Sequence, residues 1–345
     1  MQQRRYWFPL HPDITKPIGG VKQVHRLAEA LIRLGREAVL VQEQAGFHPG
    51  WFHSQVPAVA LSAFRQRRDL RPERDVVVLP ETFLAALPGY APGLPKLIFN
   101  QNGSYSFGLN PENQWRPDRV MQLYRHPDVK AVLCVSEHDR RLLAGGLAAD
   151  PARVFRLTNA IETELFQPAQ ASKRRQIAFM PRKQKGQDVA IVRALLEAQP
   201  WFASWQWQPI EGLPQPEVAT LLRQSVAFLA FSQREGFGLP LAEAAACGCY
   251  LIGHTGLGGA EVFALAAQQG TALPVADGDW LGFVEGVQQL DRQLADPEHD
   301  LQARLLQSSK RVRRAYGAEA MQRSVADALP RWEAVLESPL QQGDG

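Results

Sequence analysis

The stretch Arg234-Glu-Gly-Phe-Gly-Leu-Pro-Leu-Ala-Glu-Ala-Ala-Ala-Cys-Gly-Cys249, with the apolar run just before it, decides the fold. That run, Val226 to Phe231, has the length and composition of a buried strand. Pro240 suits the first turn of a helix, so a helix is predicted to start at Leu239 or Pro240. Small alanines continue this helix, and Gly248 is suited to end it in a left-handed turn. The predicted order is strand, glycine turn, helix, strand.

The glycine turn carries the residue types of a site for a phosphorylated sugar. Gly236 and Gly238 let the backbone approach a ligand closely, and the N–H groups of the first helical turn attract an anion such as phosphate. Glu235 and Glu243 flank this position. Carboxylates repel a phosphate but accept hydrogen bonds from hydroxyls, so the combination indicates a nucleotide sugar.

Two other interpretations of this turn stay open. An ordinary strand-to-helix turn with two surface glutamates is one, although such a turn would not require both acids and both glycines. A dinucleotide-binding fingerprint is the other, since Gly236-Phe-Gly238 begins its glycine pattern. Leu241 stands where the third glycine belongs, however, and no acid ends the following strand, Tyr250 to Ile252.

The nine residues Glu-Gly-Phe-Gly-Leu-Pro-Leu-Ala-Glu resemble the Glu-x7-Glu signature of retaining GT-B glycosyltransferases, in particular those of family 4. In that family the first Glu contacts the donor sugar, the Phe-Gly-Leu-Pro backbone holds sugar and phosphate, and the second Glu binds ribose hydroxyls. The resemblance also implies that Ile210, which follows the predicted strand Trp205 to Pro209, lies where the family's backbone lines the nucleotide base. The donor-binding residues that it implies are Glu235, Gly236, Phe237, Gly238, Leu239, Pro240, Glu243 and Ile210.

Composition sets broader bounds on the protein. A chain of 345 residues, 45% hydrophobic, is long enough for two domains. Three cysteines do not make a disulfide framework, which favours a reducing cytoplasm, and neither a secretory signal peptide nor a membrane span of ~20 apolar residues is expected. The net charge of +3 includes a basic stretch, Arg65 to Arg71. It is either a solvated loop or a peripheral contact with an anionic membrane surface that carries a lipid-linked acceptor.

Apolar runs along the chain predict the strands of two parallel sheets. Helical spacing after Gly19-Gly20, ended by Gly35, makes the opening a β-α-β unit. A polar stretch, Gln170 to Gln176, reads as a linker, and Ala303 to Leu336 is helical by its periodicity. The predicted strands are Tyr6 to Leu10, Ala38 to Gln42, Val76 to Leu79, Leu97 to Phe99, Ala131 to Val135, Arg153 to Leu157, Ile177 to Met180 and Trp205 to Pro209.

Polar residues stand just past several of these strand ends. Ligands of open parallel sheets bind at the carboxyl ends of the strands, so this edge of the first domain is predicted to be functional. Ser136 also suits the N-cap of the next helix, with Asp139 at the third helical position. The candidates for the cleft and acceptor side are Gly19, Gly20, Glu81, Asn102, Ser136 and Asn159.

The resemblance extends from Gly19 to about Glu337. Met180-Pro-Arg-Lys-Gln-Lys-Gly186 resembles the family segment whose Arg and Lys grip the donor diphosphate, which implies that Arg182 and Lys185 act with Glu235 in catalysis. The spacing is shorter than the family's, so Lys183 is an alternative partner. A solvated basic turn is the other interpretation.

The resemblance implies an α/β protein of GT-B architecture, with two Rossmann-like domains whose parallel sheets face each other across a cleft. Residues 1–168 would bind the acceptor and 169–345 the nucleotide sugar, with the last helix crossing back to the first domain. The implied activity is hexosyl transfer, with retention of configuration, to a glycan, lipid-linked or other small acceptor in cell-envelope polysaccharide biosynthesis. Neither a metal nor a nucleic acid is expected, and Asp279 of Asp277-Gly-Asp279 is expected to cap a helix.

One departure from the family pattern concerns Asn100-Gln-Asn102, which stands where many members place a histidine near the reacting sugar. An asparagine can hydrogen-bond a sugar hydroxyl, but it does not exchange a proton near neutral pH. Two alternatives to transfer therefore stay open. One is a sugar-nucleotide epimerase or hydrolase of the same architecture, and the other is a non-catalytic member that binds a nucleotide sugar or a partner enzyme.

Overall fold

The structure, a computed structural model, describes residues 4–108, 115–148, 150–169, 173–181, 187–296, 298 and 300–337. It divides into two compact units. Unit 1 joins the chain up to Asn159 to the chain from Met321 onward, and unit 2 is Ala160–Ala320. Among the residues described, no helix combines the length and the apolar character that crossing a membrane requires.

The chain of unit 1 alternates strands and helices up to residue 156. Its strands are β1 (Arg5–Pro9), β2 (Glu37–Gln42), β3 (Ala58–Ala60), β4 (Asp75–Pro80), β5 (Lys96–Asn100), β6 (Val129–Cys134) and β7 (Val154–Arg156). Its helices are α1 (Gly19–Arg33), α2 (Leu61–Arg65), α3 (Pro117–Tyr124) and α4 (Glu137–Leu142). Shorter 3₁₀ segments cover Glu81–Gly89, Gly103–Phe107 and Pro151–Arg153, and a π turn covers Leu143–Leu147.

The seven strands form one sheet in the order β3-β2-β1-β4-β5-β6-β7, and each neighbouring pair is parallel. The chain runs from β1 outward to β3 and then returns to the other side of β1 with β4. The topology therefore switches between β1 and β4, the place where open α/β sheets bind ligands. The predicted parallel sheet is confirmed, although β3, a three-residue edge strand, was not predicted.

The core of unit 1 includes both faces of its sheet. Tyr6, Trp7 and Phe8 are consecutive in β1, yet each is at most 1% exposed. Burial of successive residues on both faces is typical of parallel sheets that carry helices on each side.

The chain of unit 2 follows the same alternation. Its strands are β8 (Arg174–Phe179), β9 (Gln206–Pro209), β10 (Ser225–Ala230), β11 (Tyr250–Gly253) and β12 (Ala272–Pro274). Its helices are α5 (Gln187–Glu197), α6 (Gln215–Gln224), α7 (Leu239–Ala246), α8 (Ala260–Ala267), α9 (Trp280–Ala295) and α10 (Leu301–Tyr316), with a 3₁₀ segment at Pro200–Ser204. Helix α11 (Ala318–Glu337) follows, and from Met321 it belongs to unit 1.

The sheet of unit 2 has the order β12-β11-β10-β8-β9, again with parallel neighbours. Its topology switches between β8 and β10, so the loop that follows β10 begins at a ligand-binding position. That loop carries Glu235. The predicted catalytic residues Arg182 and Lys185, and the alternative Lys183, follow β8 but lie outside the described residues.

One sequence prediction for unit 2 was wrong. Strand β8 begins at Arg174, inside the predicted linker, and its Gln176 is buried and donates to Ser225 Oγ at 2.9 Å. The predicted helical stretch from Ala303 to Leu336 is confirmed, and it consists of two helices that part at Gly317, where a Cβ would lie 2.8 Å from the carbonyl oxygen of Arg313. Strand β12, another three-residue edge strand, was also not predicted.

Residues 160–168 pack with unit 2. The backbone N–H of Ile161 donates to the carbonyl of Tyr316 at 2.8 Å, and Phe166 is fully buried. Arg223 Nη1 donates to the carbonyl of Leu165 at 3.1 Å. The division between the units thus lies ahead of the boundary between residues 168 and 169 that the sequence suggested.

The C-terminal part of α11 is tied to the first strand of unit 1. Glu333 Oε1 accepts from the Tyr6 hydroxyl at 2.9 Å, and Trp332 Nε1 donates to the same hydroxyl at 3.1 Å. Arg36 forms a two-pronged ion pair with Glu333, with distances of 2.8 and 2.6 Å. Because Trp332 and Tyr6 are fully buried, this polar network lies inside unit 1.

Candidate functional site

The loop between β10 and α7 has the backbone that its glycines predict. Gly238 has a φ of 82°, in the left-handed region where a Cβ is unfavourable. Helix α7 starts at Leu239 with Pro240 in its first turn, which confirms the predicted start. Gly248, with a φ of 78°, follows its end in the predicted left-handed turn.

Four consecutive backbone N–H groups where this loop enters α7 have no acceptor among the described residues. They are those of Gly236, Phe237, Gly238 and Leu239, the last of which is the first residue of α7. At this N-terminus the aligned peptide dipoles of the helix give a positive potential. A row of amides at such a helix end binds an anion such as a diphosphate.

The loop that follows β11 holds Glu235 in place. The backbone N–H of Glu235 donates to the carbonyl of Gly256 at 2.7 Å, and the N–H of Gly258 donates to the carbonyl of Glu235 at 3.0 Å. Leu257 forms an isolated parallel bridge with Glu235 and has a φ of 70°. A Cβ on Gly258 would lie only 1.8 Å from the carbonyl oxygen of Gly236, so only glycine fits there.

Two buried carboxylates flank these four amides. Glu235 is 8% exposed and Glu243, in α7, is 7% exposed. Phe237 lies between them in sequence and packs edge-on against Tyr316, with ring centroids 4.9 Å apart. Ile210 follows β9, and its N–H donates to the carbonyl of Phe179 at the end of β8. The donor residues predicted after β10 therefore share one loop and helix, and Ile210 lies at the same edge of the sheet.

The aspartates with metal-like spacing have structural contacts. Asp279 Oδ1 accepts from the N–H of Gly282 at 2.9 Å, which confirms the predicted helix cap of α9. Asp277 accepts a hydrogen bond from the side chain of Gln233. In the part of the chain that the structure describes, no three His, Cys, Asp or Glu side chains are grouped closely enough to hold a metal ion.

In unit 1, Glu81 directly follows β4 at the topological switch. Its side chain is 4% exposed, and Oε2 accepts from the N–H of Gln101 at 3.0 Å. Burial raises the pKa of Glu81 to about 7, with a smaller upward effect from Asp139. Hydrogen bonds from the backbone of Gln101 and Asn102 oppose this rise in pKa.

The turn after β5 is held by side chains from other strand ends. The N–H of Gly103 donates to Asp139 Oδ1 at 3.0 Å. The N–H of Ser104 donates to Asn102 Oδ1 at 3.1 Å, and that of Tyr105 donates to the carbonyl of Asn102 at 3.0 Å. Together with the bonds to Glu81, these contacts pair five successive backbone amides.

Most of the remaining acceptor-side candidates join this turn. Gln101 Nε2 donates to the carbonyl of Gly20 at 3.1 Å, next to Gly19, the first residue of α1. Ser136 Oγ accepts from the N–H of Asp139 at 3.1 Å, so the predicted cap is confirmed. Asn159 is 4% exposed, but its side-chain oxygen accepts no hydrogen bond from the described residues. Gln101 and Asp139, which connect the set, were not among the predicted site residues.

The basic stretch after α2 is partly neutralised within unit 1. The guanidinium of Arg67 lies 5.1 Å from the ring centre of Trp7 and 2.7 Å from Asp69. Arg74 forms an ion pair with the fully buried Asp75 at 3.0 Å. Arg67 of this stretch and the neighbouring Arg74 therefore make contacts within unit 1.

A comparison with protein families matches residues 206–307 to the family described as glycosyl transferases group 1. The matched segment includes the β10–α7 loop and the loop after β11. A curated relative, an alpha-1,6-glucosyltransferase from Actinobacillus pleuropneumoniae serotype 7 (strain AP76), is 29% identical over 120 residues. That match covers 34% of this chain and 34% of the relative, so the chain spans about a third of the length of the protein it matches.

Solved structures resemble nearly the whole chain. Sucrose-phosphate synthase from Thermosynechococcus elongatus has a TM-score of 0.68 and 14% identity, over 96% of this chain and 100% of that one. Anabaena Alr3699/HepE, solved in complex with UDP and glucose, has a TM-score of 0.67 and 12% identity, over 95% and 100%. Together with the two parallel-sheet units, this likeness shows that the fold is GT-B, as the resemblance implied.

Proposed function

We propose that the protein is a glycosyltransferase that moves a sugar from a nucleotide-diphosphate donor to a hydroxyl of an acceptor. The observation that carries this proposal is the row of four amides at the start of α7 that have no acceptor among the described residues, flanked by Glu235 and Glu243. The amides suit the diphosphate, because they lie at the positive end of a helix. The carboxylates suit the hydroxyls of the sugar and the ribose, because ionised carboxylates only accept hydrogen bonds.

The comparisons support this proposal at the same place in the chain. The segment that matches the glycosyl transferase group 1 family contains both loops of the site. The Anabaena protein of the same fold was solved with UDP and glucose, which makes a UDP-sugar the first donor to test. The acceptor in this proposal is a glycan, a lipid-linked sugar or another small hydroxyl compound.

The proposed reaction retains the configuration of the transferred sugar and uses no metal ion. The acceptor oxygen forms a bond to the anomeric carbon, and the bond from that carbon to the diphosphate oxygen breaks. The electron pair leaves with the nucleoside diphosphate, and the acceptor proton passes to its phosphate oxygen or to water. In this proposal Glu235 positions the sugar and Glu243 the ribose, while Arg182, Lys185 and the amides at the start of α7 stabilise the charge on the leaving group.

The test is a thermal-shift screen of the full chain against UDP-, GDP-, dTDP- and ADP-sugars. A ligand at 100 times its Kd stabilises a folded protein by about 2.7 kcal/mol, so one nucleotide class is expected to raise the melting temperature. Glu243→Ala is expected to abolish that shift. Glu285→Ala, an exposed carboxylate on α9, is the matched control and is expected to keep it.

The donor that stabilises the protein is then incubated with and without candidate acceptors, and the products are analysed. Transfer to an acceptor with the α or β configuration of the donor supports the proposal. Conversion of the donor alone would favour an epimerase or hydrolase instead. If no nucleotide sugar shifts the melting temperature, the donor site is refuted and a partner-binding member is favoured.

A further inference from the structure

The turn after β5 has no backbone N–H left for a ligand. Its five amides, residues 101–105, are paired with Glu81, with Asp139 and with atoms of Asn102. Successive N–H groups of this kind form an anion-binding concavity when they are open. Here two carboxylates of the protein itself occupy that position.

The two sheets therefore present opposite chemistry at their carboxyl edges. In unit 2 the loop after β10 offers, at a helix N-terminus, four amides that have no acceptor among the described residues. In unit 1 the turn after β5 offers none, and an anion would have to displace Glu81 or Asp139. A ligand phosphate placed near this turn would also face the negative charge of these two side chains.

We infer that the acceptor group bound at this edge of unit 1 is an uncharged, hydroxyl-rich group, such as a sugar that carries no phosphate. The inference rests on the proposed glycosyl transfer and names the class of its acceptor. It assigns to Glu81 and Asp139 the role of positioning residues that hold the turn and exclude anions.

Neutral polar groups also lie at this edge. The carboxamide of Gln101 lies against Gly20, where its Nε2 donates to the Gly20 carbonyl. The side-chain oxygens of Asn100 and Asn159 are buried and accept no hydrogen bond from the described residues. Such oxygens are suited to hydroxyl donors, because leaving them unpaired is costly.

The charge on Glu81 gives the inference a pH signature. Its pKa of about 7 reflects burial and the nearby Asp139, against the hydrogen bonds from Gln101 and Asn102. Burial, and to a smaller degree Glu81, raises the pKa of Tyr124, which stays a neutral phenol at this edge. The negative charge beside the turn therefore increases between pH 6 and pH 8, and so does the exclusion of anions.

The experiment uses the full chain and the donor identified by the thermal-shift screen. Release of the nucleoside diphosphate is measured with glucose, galactose and N-acetylglucosamine, each against its own 6-phosphate, at pH 6 and pH 8. The wild type is expected to favour at least one neutral sugar over its phosphate by more than tenfold in kcat/KM at pH 8, and by less at pH 6.

Glu81→Gln removes the titrating charge and is expected to lower the preference for the neutral sugar at pH 8 at least threefold. In this variant the preference for the neutral sugar still changes with pH, because the phosphate of the competing sugar has a second pKa near 6. Glu137→Gln removes a half-buried carboxylate, paired with Arg140, from the first turn of α4 and serves as the control. Asp139→Asn provides the same test if Glu81→Gln does not fold.

Faster reaction with a 6-phosphate than with its parent sugar would overturn the inference, as would an unchanged preference in both variants. Failure of every neutral sugar to accelerate donor consumption would count against it equally. These outcomes leave the proposed function standing as long as the donor binds and is consumed. Absence of donor binding and consumption refutes the proposed function, and the inference with it.

Discussion

His25 links the stability of unit 1 to pH. Its side chain, in α1, is 1% exposed and packs edge-on against Phe52 and His48, with ring centroids 4.9 and 5.5 Å away. Burial, with smaller effects from the nearby His48 and Arg26, lowers the pKa of His25 from 6.5 to about 3. The folded state therefore keeps His25 neutral at a pH where the unfolded chain binds a proton.

The direction in which stability changes with pH follows from this difference in bound protons. Between pH 6.5 and pH 3 the unfolded state holds more protons, so the free energy of unfolding falls as the pH falls. Each pH unit within this window changes the free energy of unfolding by about 1.36 kcal/mol. At pH 5 the expected loss attributable to His25 is about 2 kcal/mol relative to pH 7.5.

The assay is urea unfolding followed by tryptophan fluorescence at pH 7.5 and pH 5. His25→Phe keeps an aromatic ring in the site but cannot take up a proton, so its loss of stability should be smaller than that of the wild type by about 2 kcal/mol. His53→Phe, at an exposed position, should lose as much as the wild type. Equal losses for the wild type and His25→Phe would show that the buried imidazole is not the cause.

Two further predictions concern the donor site. Gly258→Ala places a Cβ 1.8 Å from the Gly236 carbonyl, so calorimetry should show donor binding weakened by tenfold or more. Gly89→Ala, where the Cβ meets open space and φ is not positive, should bind normally. Normal binding by Gly258→Ala would mean that the two loops can part without cost. Arg182→Ala should lower kcat by about 10²-fold, as removal of a preorganised donor of positive charge does, while Arg193→Ala on α5 should not. An unchanged kcat would remove Arg182 from the mechanism.

Local chemistry explains which parts of the fold were predictable. The start of α7 depends on Pro240 and on a glycine with positive φ, and both signals lie within a few residues of the element they define. Ser136 and Asp279 cap helices by contacts over three residues. Strands β3 and β12 are three residues long and lie at sheet edges, so their sequences carry little periodicity.

Contacts between distant segments explain what the sequence missed. The carbonyl of Gly236 fits against Gly258 because two loops meet, and no pattern within either loop predicts that approach. Likewise, because Glu81 and Asn102 follow predicted strands, the sequence predicted that both lie at one edge of a sheet. The hydrogen bonds through which Gln101 and Asp139 connect them depend on the folded arrangement. Positions at strand ends were predictable, whereas the donors and acceptors that join them were not.

The network of Tyr6 with Trp332 and Glu333 bears on the order in which the chain folds during synthesis. The bonded residues are 326 and 327 positions apart. A ribosome that adds 5–20 residues per second needs roughly 15 to 65 s to cover that distance. Throughout that interval the hydroxyl of Tyr6 has neither of these two partners, and α11 does not yet cover β1. Unit 2 is a continuous stretch of chain and is synthesised in full before α11 completes unit 1, so the first sheet waits longest for its last contacts.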